Sequence, residues 1–354
     1  METTQDLPLT IADSPVPALA PPPDAVMMQF LFAPLLQQGI CIAAKLKLAD
    51  LVVQPQTATE LASLTQTNED ALYRMLRMLA SVGIFEVNEQ GQFGLTPLAN
   101  LLKSDNPASL HSFTLMMGEP WLWQNWGELM HCIKTGETAQ QKVHGMGSFE
   151  FFTLHEEAGA VFNRAMTNFS QSVLAPIVEA YDFSGIGTLV DIAGGHGQIL
   201  TGIVKANLVI QGILFDLPPV IAGAGELLSR EGVQGRIQLV SGDFFESVPA
   251  SCDGYLMKHI LHDWNDAECL RILHNIRAVM PSTGKVLIVE MLVPEGNTPD
   301  PSKMLDLQML IMKGGKERTR EEFRQLLAEA GFRITRIVPT RSPVVIIEAV
   351  LNIP

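Results

Sequence analysis

Between Thr188 and Glu290, five short runs are largely apolar at consecutive rather than alternate positions: Thr188–Ile192, Ile213–Asp216, Ile237–Val240, Gly254–Met257 and Lys285–Glu290. Strands of that kind are buried on both faces, as in a parallel sheet covered by helices on each side. Helical stretches near 198–206, 219–231 and 266–280 lie between them and supply the cover. Beyond them, 320–331 has the period of an amphipathic helix, and Phe332–Ile337 and Val344–Val350 predict a terminal pair of strands. Residues 181–354 are therefore expected to form a doubly wound α/β domain.

The preceding chain reads differently. Residues 1–24 hold six prolines and show no period that buries a face, which predicts a flexible tail. From Ala25 the pattern turns helical, and Phe30, Leu31, Leu35, Ile40, Ile42, Ala43 and Leu46 make the helix apolar nearly all round. Such a helix needs cover, and a homodimer with interlocked helices provides it. Two helices open at Thr59 and Thr67, the second with acids in its first turn and an end at Gly83. Ile84–Val87 and Gln92–Leu95 then predict a hairpin. This order over 25–105 predicts an N-terminal, all-helical, winged-helix-like dimerisation domain. A DNA reader needs a basic recognition helix, and this one sets Arg74 and Arg77 beside Glu69 and Asp70, so a scaffold is the better reading. Residues 106–180 are helical and rich in Trp, Phe and Met, which suits a core and part of an apolar substrate pocket.

A length of 354 residues predicts two domains, and 47% hydrophobic against 18% charged residues excludes a disordered chain. The net charge of −14 makes a phosphate backbone a poor partner, so no nucleic acid is expected. No 18-residue apolar run and no signal-like leader stand out, which predicts no membrane span and a cytoplasmic protein. Cys41, Cys132, Cys252 and Cys269 lack CxxC spacing, so they predict free thiols and no metal centre.

At the end of the first strand of the α/β domain stands Asp191-Ile-Ala-Gly194-Gly195-His-Gly197. Glycines there let backbone amides meet a ligand closely. A dinucleotide fingerprint needs G-x-G-x-x-G, and reading from Gly195 the third position is Leu200. An acid before the glycines suits a cationic ligand with an amino-acid end better than a pyrophosphate. Asp216 ends the second strand, where an acid accepts hydrogen bonds from ribose hydroxyls, and Asp243-Phe244 after the third offers an acid and an aromatic face for a purine.

With Phe215-Asp-Leu217-Pro, Met257-Lys258-His-Ile-Leu-His262-Asp263-Trp264, Val289-Glu290 and Gly314-Gly-Lys-Glu317-Arg-Thr319, these runs form an ordered set of six. The set resembles that of S-adenosylmethionine-dependent small-molecule O-methyltransferases of the caffeate, flavonoid and hydroxyindole type, and the resemblance runs from about residue 25 onward. It implies a Rossmann-like methyltransferase domain with S-adenosylmethionine as cofactor. It places Asp191, Gly194, Gly195, Gly197, Asp216, Leu217, Asp243, Phe244 and Lys258 at that cofactor. One departure is Ala193, where many members carry a third glycine.

Methyl transfer to oxygen needs a proton acceptor, and an imidazole titrates near neutrality. His262 follows the fourth strand on the same sheet edge and matches the family's catalytic base. Glu290 and Glu317 match the two acids that flank it, their plainer readings being a solvated strand end and a partner for Lys316 or Arg318. The resemblance places Phe162, Asn163, Met166 and Asp263 near the substrate, with Asp306 a weaker candidate; Asp263 alternatively caps the helix beginning near Asn265. The leading reading is methylation of a phenolic or enolic hydroxyl on a small, largely apolar acceptor. An N- or C-methyltransferase, or another reaction of the same cofactor, comes second, and a winged-helix DNA-binding regulator third.

Overall fold

A computed structural model describes residues 21–106 and 108–353. Strands β1 (Phe85–Val87) and β2 (Phe93–Leu95) form the N-terminal hairpin, so the domain expected to be all-helical carries a two-stranded sheet as its wing. The C-terminal sheet contains β3 (Thr188–Ile192), β4 (Gln211–Asp216), β5 (Ile237–Ser241), β6 (Gly254–Lys258), β7 (Lys285–Glu290), β8 (Phe332–Pro339) and β9 (Val345–Leu351). Their order is β5-β4-β3-β6-β7-β9-β8. The first five run parallel, and β9 and β8 extend the sheet antiparallel.

Successive strand residues point to opposite faces, so strands covered on both sides must be apolar at every position. Val190, Tyr255, Met257, Val286 and Ile288 pack on one face against the helices Asp266–Val279 and Arg320–Glu329. Leu189, Leu214, Leu256, Leu287 and Val289 pack on the other against Gln198–Ala206 and the end of Glu156–Ala180. The strand order reverses between β3 and β6, and at such a switch point the carboxyl ends of the strands open a ligand crevice. The helix expected over 219–231 is two short ones, Pro218–Ile221 and Gly225–Arg230. Gly223 and Gly225 each weaken a helix by about 1 kcal/mol relative to alanine, which accounts for the break.

In the N-terminal unit, Thr57 and Glu60 form a capping box for the helix Ala58–Thr65, and Asn68 caps Glu69–Ser81. Leu61, Leu72, Leu76, Leu79, Phe85 and Phe93 unite these helices and the hairpin in one core. The first helix spans Pro23–Lys45 and so takes in the last two residues assigned to the tail; the tail up to residue 20 lies outside the described residues. Met27, Met28, Phe30, Leu31, Phe32 and Leu35 are exposed on it. By length and composition this helix is apolar enough to cross a membrane, although interruptions at Gln29, Gln37 and Gln38 hide that in the sequence. The four cysteines are buried and unpaired.

Candidate active site

The loop after β3 turns left-handed at three positions: Ala193 (φ 53°), Gly195 (61°) and Gly197 (84°). Alanine in this region costs roughly 1–2 kcal/mol, so Ala193 carries strain that the commoner glycine would not. A Cβ on Gly194 would stand 2.5 Å from Leu214 and 2.6 Å from the Asp191 carboxylate, whereas nothing lies within 4 Å of one on Gly195. The loop is thus closed against β3 and β4 and open toward a ligand.

Asp191 is 2% exposed, and burial pushes its carboxyl up to about 7 against the pull of the Lys258 ammonium. Burial likewise lifts Asp216 to about 6, although it accepts hydrogen bonds from the Gly195 N–H (2.8 Å) and the Leu217 N–H (2.7 Å). Lys258, at the end of β6, is held down at about 8 by burial, with Glu290 and Asp191 opposing. These two acids at neighbouring strand ends gain from a cationic ligand, and Asp216 keeps lone pairs for hydroxyl donors. The Leu217 side chain is exposed on the same rim. Asp243 Oδ1 accepts from the Phe245 N–H at 2.8 Å, and the Phe244 ring meets Phe245 and Trp264 edge-on.

β6 runs through His259, itself left-handed at φ 54°, into a single 3₁₀ turn, Leu261–Asp263. Glu290, fully buried at the end of β7, anchors that turn: Oε1 accepts from the backbone N–H of Ile260 (3.0 Å) and of His262 (3.4 Å). Its Oε2 lies 3.2 Å from His259 Nδ1 and 3.7 Å from His262 Nδ1. Glu317 Oε1 lies 2.6 Å from His262 Nδ1. The Nδ1 side of the imidazole is therefore occupied, and Nε2 faces Asp263 Oδ1 at 3.7 Å. Burial alone would discharge His262; Glu290 and the hydrogen bond to Glu317 outweigh it and raise the imidazole to about 9. His259 goes the other way, held well below its ordinary value by burial and then by Lys258. His259, His262 and Glu290 offer ligand atoms within 4.8 Å of one another, a spacing that their hydrogen bonds explain.

The loop that carries Glu317 is pinned from three directions. Asp306 Oδ1 accepts from the Glu317 N–H at 2.9 Å. Gly315 packs on the backbone of Asp263 and Trp264, where a Cβ would come within 2.5 Å. Arg318, 1% exposed, donates to the carbonyls of Leu261 (2.7 Å) and Trp264 (3.0 Å) and to Asp266 (2.7 Å). Lys316 pairs with Glu322 at 3.0 Å. Neither neighbouring cation takes Glu317.

Across Asp263 and Lys313 from the imidazole lies an aromatic group. Phe162 stacks on Phe152 at 4.5 Å, and Phe149 stacks on Trp264 at 5.5 Å. Asn163 and Met166 lie half-buried on the same helix as Phe162. Asp263 does not cap the following helix, because Asn265 does so in a capping box with Glu268; Asp263 instead faces Lys313 at 3.7 Å. Phe149 belongs to the aromatic-rich stretch that the sequence offered as core or pocket lining, and Arg318 stood there only as a possible partner of Glu317; His259, Gly315 and Lys313 at this centre carried no role in the sequence reading. Arg318 and Gly315 stand in a motif that pointed to the loop, but only the fold shows that they fix its position.

Two family models match the chain: the O-methyltransferase dimerisation domain over residues 28–105 and the O-methyltransferase domain over residues 126–333. The chain belongs to the O-methyltransferase family. This O-methyltransferase is 42% identical over 331 residues to phenazine O-methyltransferase PhzM of Lysobacter antibioticus, covering 93% of this chain and 97% of that one. The crystal structure of LaPhzM superposes with a TM-score of 0.89 at 42% identity, over 93% of this chain and 99% of that one. An O-methyltransferase from neocarzinostatin biosynthesis, solved with S-adenosylmethionine and 2-hydroxy-5-methyl naphthoic acid, matches at 31% identity with a TM-score of 0.76, over 89% of this chain and 95% of that one. The enzyme is a methyltransferase dependent on S-adenosylmethionine.

Proposed function

We propose that this O-methyltransferase methylates a phenolic or enolic hydroxyl of a small, largely apolar aromatic acceptor, with His262 as general base. The observation that carries the reading is the division of the imidazole: Nδ1 is bound to Glu317, 2.6 Å away, and Nε2 faces Asp263, whose other oxygen meets Lys313 among the phenyl rings. When bound, S-adenosylmethionine supplies an electrophilic methyl group on a sulfonium. Asp191, Gly194, Gly195 and Gly197 hold its methionine end, Asp216 and Leu217 its ribose, and Asp243 and Phe244 its adenine, with Lys258 alongside. Phe162, Asn163, Met166 and Asp263 line the acceptor face.

Positioning is the larger contribution, since well-oriented partners gain on the order of 7–11 kcal/mol. A general base adds about 10²- to 10⁴-fold. Glu290 and Glu317 aim the ring and stabilise its protonated form after it takes the hydroxyl proton. An imidazole near 9 is charged at neutral pH in the ligand-free enzyme, so its proton must leave before it can take one from the hydroxyl. The exposed apolar face of Pro23–Lys45 lies largely within the matched dimerisation domain, which supports a homodimer with this face against the partner subunit.

Incubation with methyl-labelled S-adenosylmethionine and a panel of hydroxylated and aminated arenes tests the reaction. Label recovered on a hydroxyl oxygen supports it, and label confined to nitrogen or carbon overturns it.

A further inference from the structure

Lys313 directly follows the helix Pro301–Met312 and precedes Gly314-Gly315. Its side chain is only 6% exposed, and its ammonium makes no hydrogen bond. Nζ stands 3.3 Å from the ring centroid of Phe149, 5.0 Å from that of Phe162 and 5.8 Å from that of Phe152. Asp263 Oδ2 faces it at 3.7 Å, and the other oxygen of the same carboxylate faces His262 Nε2, also at 3.7 Å. One aspartate therefore separates the open nitrogen of the imidazole from a buried cation.

Cation–π contacts are weak and provide no hydrogen-bond acceptor, and they do not offset the cost of burying an ammonium. Burial does hold the Lys313 ammonium below its ordinary value. A methionine would fill the space without that cost, so packing gives no reason for a lysine. Even a fully formed pair with Asp263 uses one of its three N–H bonds and leaves two.

We propose that Lys313 binds a carboxylate on the acceptor, so that the substrate class is aromatic hydroxy acids, with the phenyl cluster holding the arene and the reacting hydroxyl at His262 Nε2. The inference rests on this face being the acceptor site. Charge-assisted N–H···O bonds are roughly twice as strong as neutral ones, and a carboxylate accepts two at once.

The test is calorimetry on the full-length enzyme saturated with S-adenosylhomocysteine, with 2-hydroxybenzoate, 3-hydroxy-2-naphthoate and their methyl esters as probes. The wild type is expected to bind the acids at least about tenfold more tightly than the esters. Lys313→Met abolishes that preference, leaves ester and S-adenosylhomocysteine affinity unchanged and does not lower Tm, while Lys313→Arg retains it. The inference fails if the acids do not bind, if acid and ester bind alike, or if the preference survives in Lys313→Met. It fails equally if Lys313→Met lowers Tm and weakens acid and ester together, the pattern of a structural cation. Loss of S-adenosylhomocysteine uptake by the wild type would instead overturn the methyltransferase reading itself.

Discussion

Glu317 Oε1 lies 2.6 Å from His262 Nδ1, and that pairing, added to the larger attraction of Glu290, holds the imidazole at about 9. In Glu317→Gln the attraction falls and the proton leaves at lower pH. The acidic limb of kcat/KM is therefore expected to move toward neutrality, with a plateau reduced by about tenfold or more as the ring loses its aim. An unmoved limb would show that Glu317 does not set the charge of the base. Stability follows the same sign. A histidine raised from 6.5 in the unfolded chain to about 9 stabilises the fold fully below about 6.5, and the contribution fades as pH rises through 9. Denaturant unfolding should accordingly show the advantage of wild type over Glu317→Gln at its greatest near pH 6 and shrinking as pH rises to 10, where the buried Glu317 carboxylate, raised by desolvation, costs the wild type stability.

Gly315→Ala is expected to act at a distance of one loop. The new methyl group cannot coexist with the Asp263 and Trp264 backbone, so the loop bearing Glu317 must lift away from the His262 turn. A fall in kcat of about tenfold to a hundredfold with nearly unchanged S-adenosylhomocysteine affinity is expected, since misplacement of about 1 Å has that order of effect. Steady-state kinetics and calorimetry together check it.

Asp191 is raised from 3.8 to about 7, chiefly by burial. A carboxyl that prefers its proton in the folded state costs stability as pH climbs from about 4 through 7, and costs nothing below that window. Asp191→Asn should therefore stabilise the ligand-free enzyme at pH 8 by about 1 kcal/mol, part of the gain being lost with the attraction to Lys258, and leave it unchanged at pH 4. The same variant should lose most of its affinity for S-adenosylmethionine. In the wild type, binding at pH 6.5 should release protons from Asp191 and Asp216, seen as a buffer-dependent heat in calorimetry. Equal heats in buffers of different ionisation enthalpy would contradict this.

The parallel strands were legible because burial on both faces leaves an apolar signature at consecutive positions, and the glycine loop because close approach excludes side chains. The paired strand-end acids were legible as types at fixed points on one sheet edge. Arg318 was not, because an arginine in a polar motif reads as exposed; only the fold brings it under the carbonyls of Leu261 and Trp264. Lys313 was hidden for the same reason, since its burial depends on Phe149 and Phe162, far away in sequence. The capping reading of Asp263 failed because the next residue but one, Asn265, takes the cap with its own side chain.

Replacing His262 by alanine tests the central claim most directly, with turnover of a methylated acceptor and calorimetry of S-adenosylhomocysteine measured on the same preparation. Turnover should fall by about 10²- to 10⁴-fold, the usual contribution of a general base, while binding at the strand ends stays within about twofold. A variant that binds and turns over like the wild type would remove His262 from the reaction.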